Sequence, residues 1–257
     1  MNFFQVLILS VVHGAAEFLP ISSSGHLVIL QKLFGLKEPP VLFDVLLHVG
    51  SVGAIMVYFR KEFLEILNKV LKKDSQALKL VVLVVLGTFP AAIIGALLDK
   101  QVEEAFNSLR TVGLGLIFTS LLLFSTRVVH SSRRQFNHLN WFDALFIGFF
   151  QAVAILPGIS RSGSTIVSGI WRGLSRETTF AFSFYLAIPA ILGALVFKIK
   201  DLSGYSGVEI SYGFIGMIIS AVIGYFSLKV LAQILKSAKF IWFGVYCLML
   251  GLLILLA

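Results

Sequence analysis

The sequence has little cysteine and little charge. Cys247 is the single cysteine among 257 residues, so the chain can form neither an intramolecular disulfide nor a multi-cysteine metal site. Charged residues make up only 13% of the chain, and hydrophobic residues make up 58%, with a mean hydropathy of +0.94. Such a composition cannot cover a globule with water-compatible surface. Lipid is therefore predicted to be the main solvent of this chain.

The charge that is present is unbalanced, with 21 Lys and Arg against 13 Asp and Glu. A basic excess can indicate nucleic-acid binding, but these residues collect in short segments between apolar runs, as in membrane proteins. The segment between the first two predicted spans is rich in them, and the positive-inside rule places it in the cytoplasm. The N-terminal apolar run has no basic region before it, the first lysine being Lys32. We expect that run to remain in the mature protein.

Six apolar stretches are long enough, or nearly so, to cross a hydrocarbon core of about 30 Å as helices of roughly 20 residues. The sequence therefore predicts an all-α polytopic membrane protein with six transmembrane helices, forming a single integral membrane domain over residues 1–257. The six stretches are residues 42–59, 77–98, 111–128, 178–197, 211–231 and 239–257.

Two further apolar regions, residues 3–34 and 141–171, are interrupted near their middles by proline, glycine and serine, in the segments LPISSSG and LPGISRSG. A continuous helix cannot easily contain these segments. The backbone groups that such a break releases must be satisfied inside protein or in a wet cavity. We therefore predict two re-entrant helical hairpins, each entering and leaving on one side of the membrane.

The two broken regions are related in sequence. Residues 11–29 align with residues 149–167 without gaps, and the S-x-S-G core occurs in both. Three predicted spans separate the copies, so they should enter from opposite faces of the membrane, as an inverted-topology repeat of about 1–128 and about 139–257. The identical pairs are Ala16/Ala154, Ile21/Ile159, Ser22/Ser160, Ser24/Ser162 and Gly25/Gly163.

His13 and Glu17 are four residues apart and so share one helix face. This spacing suits a shared metal ion or a proton-transfer pair, and it equally suits a stabilising pair within one helix. A carboxylate at membrane depth is costly and is usually retained for a task. A functional role is therefore the favoured interpretation for Glu17.

The first break continues with Ser22, Ser23, Ser24, Gly25 and His26. These residues place hydroxyls and free N–H groups at the start of a returning helix, where the helix dipole favours an anion. A hydroxyl close to an imidazole base also suits covalent displacement. Each serine taken alone is better explained as a helix cap, so the hypothesis depends on the cluster.

The second break carries a cation, Arg161, where the first has Ser23. Its planar fork of donors suits bidentate phosphate contact, and it also suits a partner for Glu17 across the interface. The neighbouring candidates for substrate binding are Ser160, Ser162, Gly163 and Thr165. Four other polar residues are interpreted as supporting or helix-packing groups: Asp44, His48, Asp143 and Gln151.

Three segments together, EFLPISSSGHL (17–27), FDVLLHVGS (43–51) and PGISRSGST (157–165), resemble the bacterial undecaprenyl-pyrophosphate phosphatases of the bacitracin-resistance type. The resemblance covers essentially the whole chain. It implies a multi-pass inner-membrane enzyme that removes the terminal phosphate of undecaprenyl pyrophosphate at the outer face, to recycle the lipid carrier of cell-wall synthesis. It also implies a homodimer and a divalent cation, Mg²⁺ or Ca²⁺.

Residue by residue, the resemblance implies that Glu17 is the retained acid, Ser23 the nucleophile, His26 the histidine and Arg161 the phosphate-binding arginine. Proton transfer from Ser23 by His26 or Glu17, and direct attack by water, all stay open. The chain departs from the family at His13, where a Glu or Gln is usual. A neutral imidazole can ligate a metal but removes a negative charge, so we expect weaker dependence on Mg²⁺ or Ca²⁺.

A different class of protein fits part of the pattern. Inverted repeats with broken helices that meet at mid-membrane are typical of transporters, so a transporter or flippase of a polyprenyl phosphate lipid is the alternative. The cluster of acid, hydroxyl and imidazole favours an enzyme.

Overall fold

The computed structural model describes residues 1–36, 41–128, 134–198, 207–236 and 240–256. In these ranges the chain forms twelve α-helices and a short 3-10 helix, with no strand. The helices are α1 (Phe3–Phe18), α2 (Ser23–Leu33), α3 (Val41–Tyr58), α4 (Arg60–Leu71), α5 (Ser75–Leu97), α6 (Asp99–Phe106), α7 (Leu109–Ser125), α8 (Trp141–Val153), α9 (Arg161–Trp171), α10 (Arg176–Lys198), α11 (Gly207–Lys236) and α12 (Ile241–Leu256).

Each of the six predicted spans corresponds to a helix, namely α3, α5, α7, α10, α11 and α12. Three of them, α5, α10 and α11, are long and apolar enough to cross a membrane by themselves, and two bent helix pairs raise the number to five. The outer surface of these helices is apolar; Val85 and Phe89 on α5, for example, are 62% and 59% exposed. The all-helical, multi-pass membrane class is therefore confirmed, and the count of six spans stays a prediction.

The basic segment after the first predicted span is a helix, α4, where the sequence indicated a loop. It bends by 75° from α3 and buries none of its residues. Its twelve residues include Arg60, Lys61 and Lys69 beside exposed leucines. A short helix with one charged and one apolar face suits the membrane surface. The cytoplasmic side of this segment stays a prediction.

Both predicted helix breaks are present. The first lies between Phe18 and Ser23, and the second lies between Val153 and Arg161. The returning helices α2 and α9 have eleven residues each. At a rise of 1.5 Å per residue, each is roughly 16 Å long, about half of the hydrocarbon core. In both halves the returning helix packs against the helix before its break, α2 on α1 and α9 on α8.

The long helices hold the two hairpins together by an exchange between halves. The first-half helices α1 and α3 pack on α11, and the second-half helices α8 and α10 pack on α5. Helices α7 and α12 pack on each other. The largest apolar cluster surrounds the first break and the second hairpin and includes Phe18, Phe184 and Ile166. The polar breaks are thereby enclosed by apolar packing.

Candidate active site

The two breaks touch each other. The Ser162 hydroxyl donates to the Leu19 carbonyl oxygen at 3.2 Å. A Cβ atom on Gly25 would lie 3.1 Å from the Cα atom of Gly158. A side chain at position 25 would push the two backbones apart by a few tenths of an ångström. Residues distant in sequence therefore form one polar centre.

The two helix starts are capped in the same way. Ser22 Oγ accepts the Gly25 N–H at 3.2 Å, and Ser160 Oγ accepts the Gly163 N–H at 3.1 Å. In each cap the serine hydroxyl also lies 3.2 Å from the hydroxyl two residues further on, that of Ser24 or Ser162. Two helix N-termini, with their unpaired N–H groups and positive dipole ends, thus converge on one centre.

Backbone conformation differs between the breaks. Ser22 has φ +67°, in the left-handed region that a residue with a side chain rarely adopts, whereas Gly158 takes φ +90° in the second break. The Ser22 carbonyl accepts a hydrogen bond from His26 Nδ1 at 2.7 Å. The strained residue therefore caps α2 and orients the imidazole that the sequence singled out.

Glu17 is the hub of the site. Its side chain is 5% exposed, near the end of α1. Oε1 accepts a hydrogen bond from Arg161 Nη2 at 2.7 Å, and Oε2 accepts a short hydrogen bond from Ser23 Oγ. A carboxylate that holds a serine proton on one oxygen and a guanidinium on the other can serve as the base for that serine.

Arg161 has donor capacity in reserve. It opens α9, and its side chain is 14% exposed. Nη1 is buried and has no hydrogen-bonding partner among the described residues. A buried guanidinium nitrogen without a partner is costly, so the site fits an anionic ligand that accepts from it.

Two histidines stand against the other side of Glu17. The Nε2 atoms of His13 and His48 each lie 3.9 Å from Glu17 Oε2, and the two rings are 4.5 Å apart between centroids. His13 is fully buried and its Nε2 lies 3.2 Å from Ser51 Oγ. The structure therefore moves His48 from the predicted supporting groups into the candidate site.

His26 is held from two sides. Besides the Ser22 carbonyl, its Nε2 lies 2.6 Å from the Tyr246 hydroxyl, and the two rings are stacked with centroids 5.7 Å apart. Ser23, in contrast, directs its proton to Glu17. Of the two proton acceptors that the sequence left open for Ser23, Glu17 is therefore the one in contact.

Three further predicted residues lie outside the chain of hydrogen bonds from Ser23 through Glu17 to Arg161. The Thr165 hydroxyl is within 2.8 Å of the Arg161 carbonyl oxygen and 2.5 Å of Ser183 Oγ, so it ties the start of α9 to α10. Asp143 pairs with Arg134 and Arg172, which is the structural role the sequence indicated. Gln151 is buried, and neither atom of its amide has a partner among the described residues.

The sequence did not predict three residues that contribute to the polar centre: His48, Thr119 and Tyr246. Thr119 on α7 bridges the second break, accepting from the Ser160 N–H and donating to the Gly158 carbonyl, both at 2.9 Å. For His48, the i,i+4 spacing from Asp44 was a sequence feature that could have indicated a role in the site. Nothing in the spacing of Thr119 or Tyr246 connects them to either break, since both arrive through tertiary packing.

Fold and site together define an integral membrane protein with a buried polar centre, built from two broken helices and suited to an anionic headgroup. The chain belongs to the bacitracin resistance protein BacA family, whose sequence model matches residues 6–253. Among curated relatives, the undecaprenyl-diphosphatase of Carboxydothermus hydrogenoformans is 42% identical over 99% of this chain and 97% of its own length. That of Desulfosudis oleivorans is 40% identical (96% and 95%), and that of Alkaliphilus metalliredigens is 36% identical (100% and 98%).

Proposed function

We propose that this chain is an undecaprenyl-diphosphatase, a hydrolase that converts undecaprenyl pyrophosphate to undecaprenyl phosphate and inorganic phosphate. The observation that carries the mechanism is the hydrogen-bonded chain of Ser23, Glu17 and Arg161, which crosses from one break to the other. It combines a hydroxyl, a base for that hydroxyl and a cation with an unused donor. Phosphoryl transfer requires this combination of positioning and charge.

The pyrophosphate would bind between the two helix starts. The capped N-termini of α2 and α9 offer backbone N–H groups, and Arg161 Nη1 offers a buried donor. The Ser24 hydroxyl lies next to the capping Ser22 and adds a donor, while the Ser162 hydroxyl holds the two breaks together through the Leu19 carbonyl. The polyprenyl chain would extend along the apolar outer surface of the helices into lipid.

Substrate binding would also prepare the base. In the protein alone, Arg161 Nη2 is engaged with Glu17. When the pyrophosphate oxygens attract the guanidinium, Glu17 loses part of that partner and becomes a stronger proton acceptor for Ser23. Binding and activation would thereby be linked through one side chain.

In the proposed first step, Ser23 Oγ attacks the terminal phosphorus and Glu17 takes its proton. The bond from that phosphorus to the bridging oxygen breaks, and undecaprenyl phosphate leaves with the electron pair. Glu17 passes this proton to the departing undecaprenyl phosphate and is again a carboxylate. In the second step water attacks the phosphoserine, Glu17 accepts a proton from the water and returns it to Ser23 Oγ as the bond from phosphorus to Ser23 Oγ breaks, and inorganic phosphate is released. Direct attack by water that Glu17 activates would use the same residues without the covalent intermediate.

His26 fits a positioning or proton-handling role beside the leaving group, because Ser22 and Tyr246 fix its ring. Thr165 and Thr119 would keep the second break in place. We assign substrate contacts first to Arg161, Ser24 and the first backbone N–H groups of α2 and α9, because the N–H groups of Gly25 and Gly163 are already bonded to the capping serines.

The divalent cation implied by the resemblance meets an unusual set of ligands. Mg²⁺ and Ca²⁺ prefer oxygen ligands, and the cluster next to Glu17 supplies one carboxylate and two imidazoles, those of His13 and His48. This set does not suit Mg²⁺ or Ca²⁺. No step of the proposed mechanism therefore passes through either ion.

We further propose that the fold is an inverted-topology repeat whose site opens to the outer face of the bacterial cell membrane. Two observations support the repeat: the matching caps at Ser22 and Ser160, and the exchanged packing of α1 and α3 on α11 against α8 and α10 on α5. The six spans and the homodimer stay predictions. Cysteine labelling from each side of intact cells would test the former, and crosslinking in membranes the latter.

The direct test is phosphate release from undecaprenyl pyrophosphate by the purified protein in detergent. We expect wild-type protein to release one phosphate per lipid, and Ser23→Ala, Glu17→Gln and Arg161→Ala to lose nearly all turnover. Ser211→Ala and Glu65→Gln change exposed residues and serve as matched controls. An inert wild-type protein that nevertheless moves a polyprenyl phosphate across vesicles would contradict the proposal and favour the transporter class.

A further inference from the structure

The cluster beside Glu17 has the composition of a metal site of another kind. One nitrogen from each of His13 and His48 and one oxygen of Glu17 lie within 4.8 Å of one another. Imidazole nitrogen suits Zn²⁺, Fe²⁺, Co²⁺ and Ni²⁺, whereas Mg²⁺ and Ca²⁺ are held by oxygen. We propose that His13, Glu17 and His48 form a binding site for a divalent transition metal of the Zn²⁺ type. The inference deepens the proposed function, and a role of the metal in catalysis rests on that function.

The distances agree with such an ion. Each imidazole Nε2 lies 3.9 Å from Glu17 Oε2. A tetrahedral ion with bonds of about 2.0–2.1 Å separates its ligand atoms by roughly 3.4 Å. Each imidazole nitrogen would have to approach Oε2 by about half an ångström, and the two nitrogens, which lie within 4.8 Å of each other, would have to approach by up to about 1.4 Å. A fourth position would then be left for water or a phosphate oxygen.

His48 is already oriented as a ligand. Its Nδ1 lies 2.7 Å from the carbonyl oxygen of Asp44, one helical turn earlier, and so must carry the ring proton there. The lone pair of Nε2 is then free on the side of Glu17. Metal-binding histidines commonly have their second nitrogen fixed in this manner.

His13 places the second imidazole at the same carboxylate, with Nε2 as the nitrogen that lies 3.9 Å from Glu17 Oε2. The ring is fully buried, and its Nδ1 has no hydrogen-bonding partner in the described part of the chain. Its hydrogen-bonding partner among the described residues, the Ser51 hydroxyl, has two other acceptors, Leu47 O at 3.4 Å and Ser220 Oγ at 3.5 Å. Ser51 can therefore release the imidazole to a metal without losing its own hydrogen bond.

Glu17 can bind the ion while keeping its other partners. A carboxylate has about four lone-pair directions. In this site Ser23 uses one on Oε2, and Arg161 uses one on Oε1. A lone pair on Oε2 stays available toward the two imidazoles. The positive charge of Arg161 opposes a second cation nearby, so affinity should depend on the two neutral imidazoles.

The test measures metal binding without turnover, using protein that carries an affinity tag free of histidine. Wild-type protein, stripped of metal and titrated with Co²⁺, should bind one equivalent with visible d–d absorption, which Zn²⁺ displaces and millimolar Mg²⁺ does not. His13→Gln and His48→Gln should each weaken Co²⁺ binding by about 100-fold or more. His138→Gln, at an exposed histidine, is the matched control and should bind Co²⁺ normally.

Two results would overturn the inference. One is wild-type protein that takes up no Co²⁺ or Zn²⁺, and the other is Co²⁺ binding that survives unchanged in both glutamine variants. Elemental analysis of the purified wild-type protein gives a reading that does not depend on the folding of any variant. Phosphate release without transition-metal binding would reject the metal site and keep the phosphatase; metal binding without phosphate release would reject the phosphatase and keep the metal site.

Discussion

The two breaks have the same caps but different chemistry. In the first, Glu17, Ser23 and His26 supply acid, hydroxyl and imidazole; in the second, the aligned residues are Ile155, Arg161 and Ser164. The Ser164 hydroxyl has no partner among the described residues, whereas His26 is bonded on both nitrogens. The proposed function gives the first break the reaction and the second break the binding of the anion. The serine caps that both breaks share stabilise the helix starts, and the residues that differ between the breaks are those that the proposed reaction uses.

The breaks also differ in how they are held. Gly158 takes its positive φ at no steric cost and is clasped by Thr119 of α7. Ser22 takes a positive φ, which is unfavourable for a residue with a side chain. Its hydroxyl accepts the Gly25 N–H, and its carbonyl oxygen accepts from His26. Strain is retained in the reactive break, where it orients Ser23 and His26.

The largest effect should come from the base in the first break. Glu17→Gln keeps an oxygen for Arg161 but cannot accept the Ser23 proton, so kcat should fall by about 10³-fold. Steady-state phosphate release measures it, with Glu65→Gln as the control at an exposed glutamate. A variant that keeps a tenth of wild-type kcat would remove Glu17 from the role of base.

The next effect should come from the cation in the second break. Arg161→Lys keeps the charge but loses the planar fork, and kcat/KM should fall by about 10²-fold. Arg110→Lys, at an exposed arginine in the first turn of α7, should leave kcat/KM unchanged. If lysine restored wild-type kcat/KM, charge alone would suffice and the unused Nη1 donor would have no function.

Substitutions at the two residues with positive φ should change stability by different amounts. Gly158→Ala requires an unfavourable φ and brings its Cβ against the Val112 backbone, so it should lower stability by about 1–3 kcal/mol. Ser22→Gly relieves the strain and should change stability by less than about 1 kcal/mol, because glycine is itself an acceptable cap. Thermal unfolding in detergent compares them. Equal destabilisation by both would show that the breaks are not held differently.

The smallest effect should come from the support of His26. Tyr246→Phe keeps the stacked ring but removes one hydrogen bond, worth about 1 kcal/mol, so kcat/KM should fall roughly fivefold. Tyr212→Phe is the control for a tyrosine elsewhere on the helices. An unchanged kcat/KM would mean that Ser22 alone orients the imidazole.

The sequence predicted most of the helices and both breaks, because proline, glycine and serine inside apolar runs have strong local consequences. It also predicted that Glu17, Ser23 and Arg161 belong to one site. It could not indicate that α4 is a surface helix, since a basic segment between spans reads as a loop. Nor could it place His48, Thr119 and Tyr246, which reach the centre through the packing of α3, α7 and α12 across the two halves.

The central claim is that the first break reacts and the second break binds. Binding of undecaprenyl pyrophosphate to inactive variants tests it most directly, measured as the affinity for the lipid in detergent micelles. Ser23→Ala should bind the lipid as wild-type protein does, while Arg161→Gln should bind it at least about tenfold more weakly. Equal weakening by the two substitutions, or wild-type affinity in Arg161→Gln, would contradict this division between the two breaks.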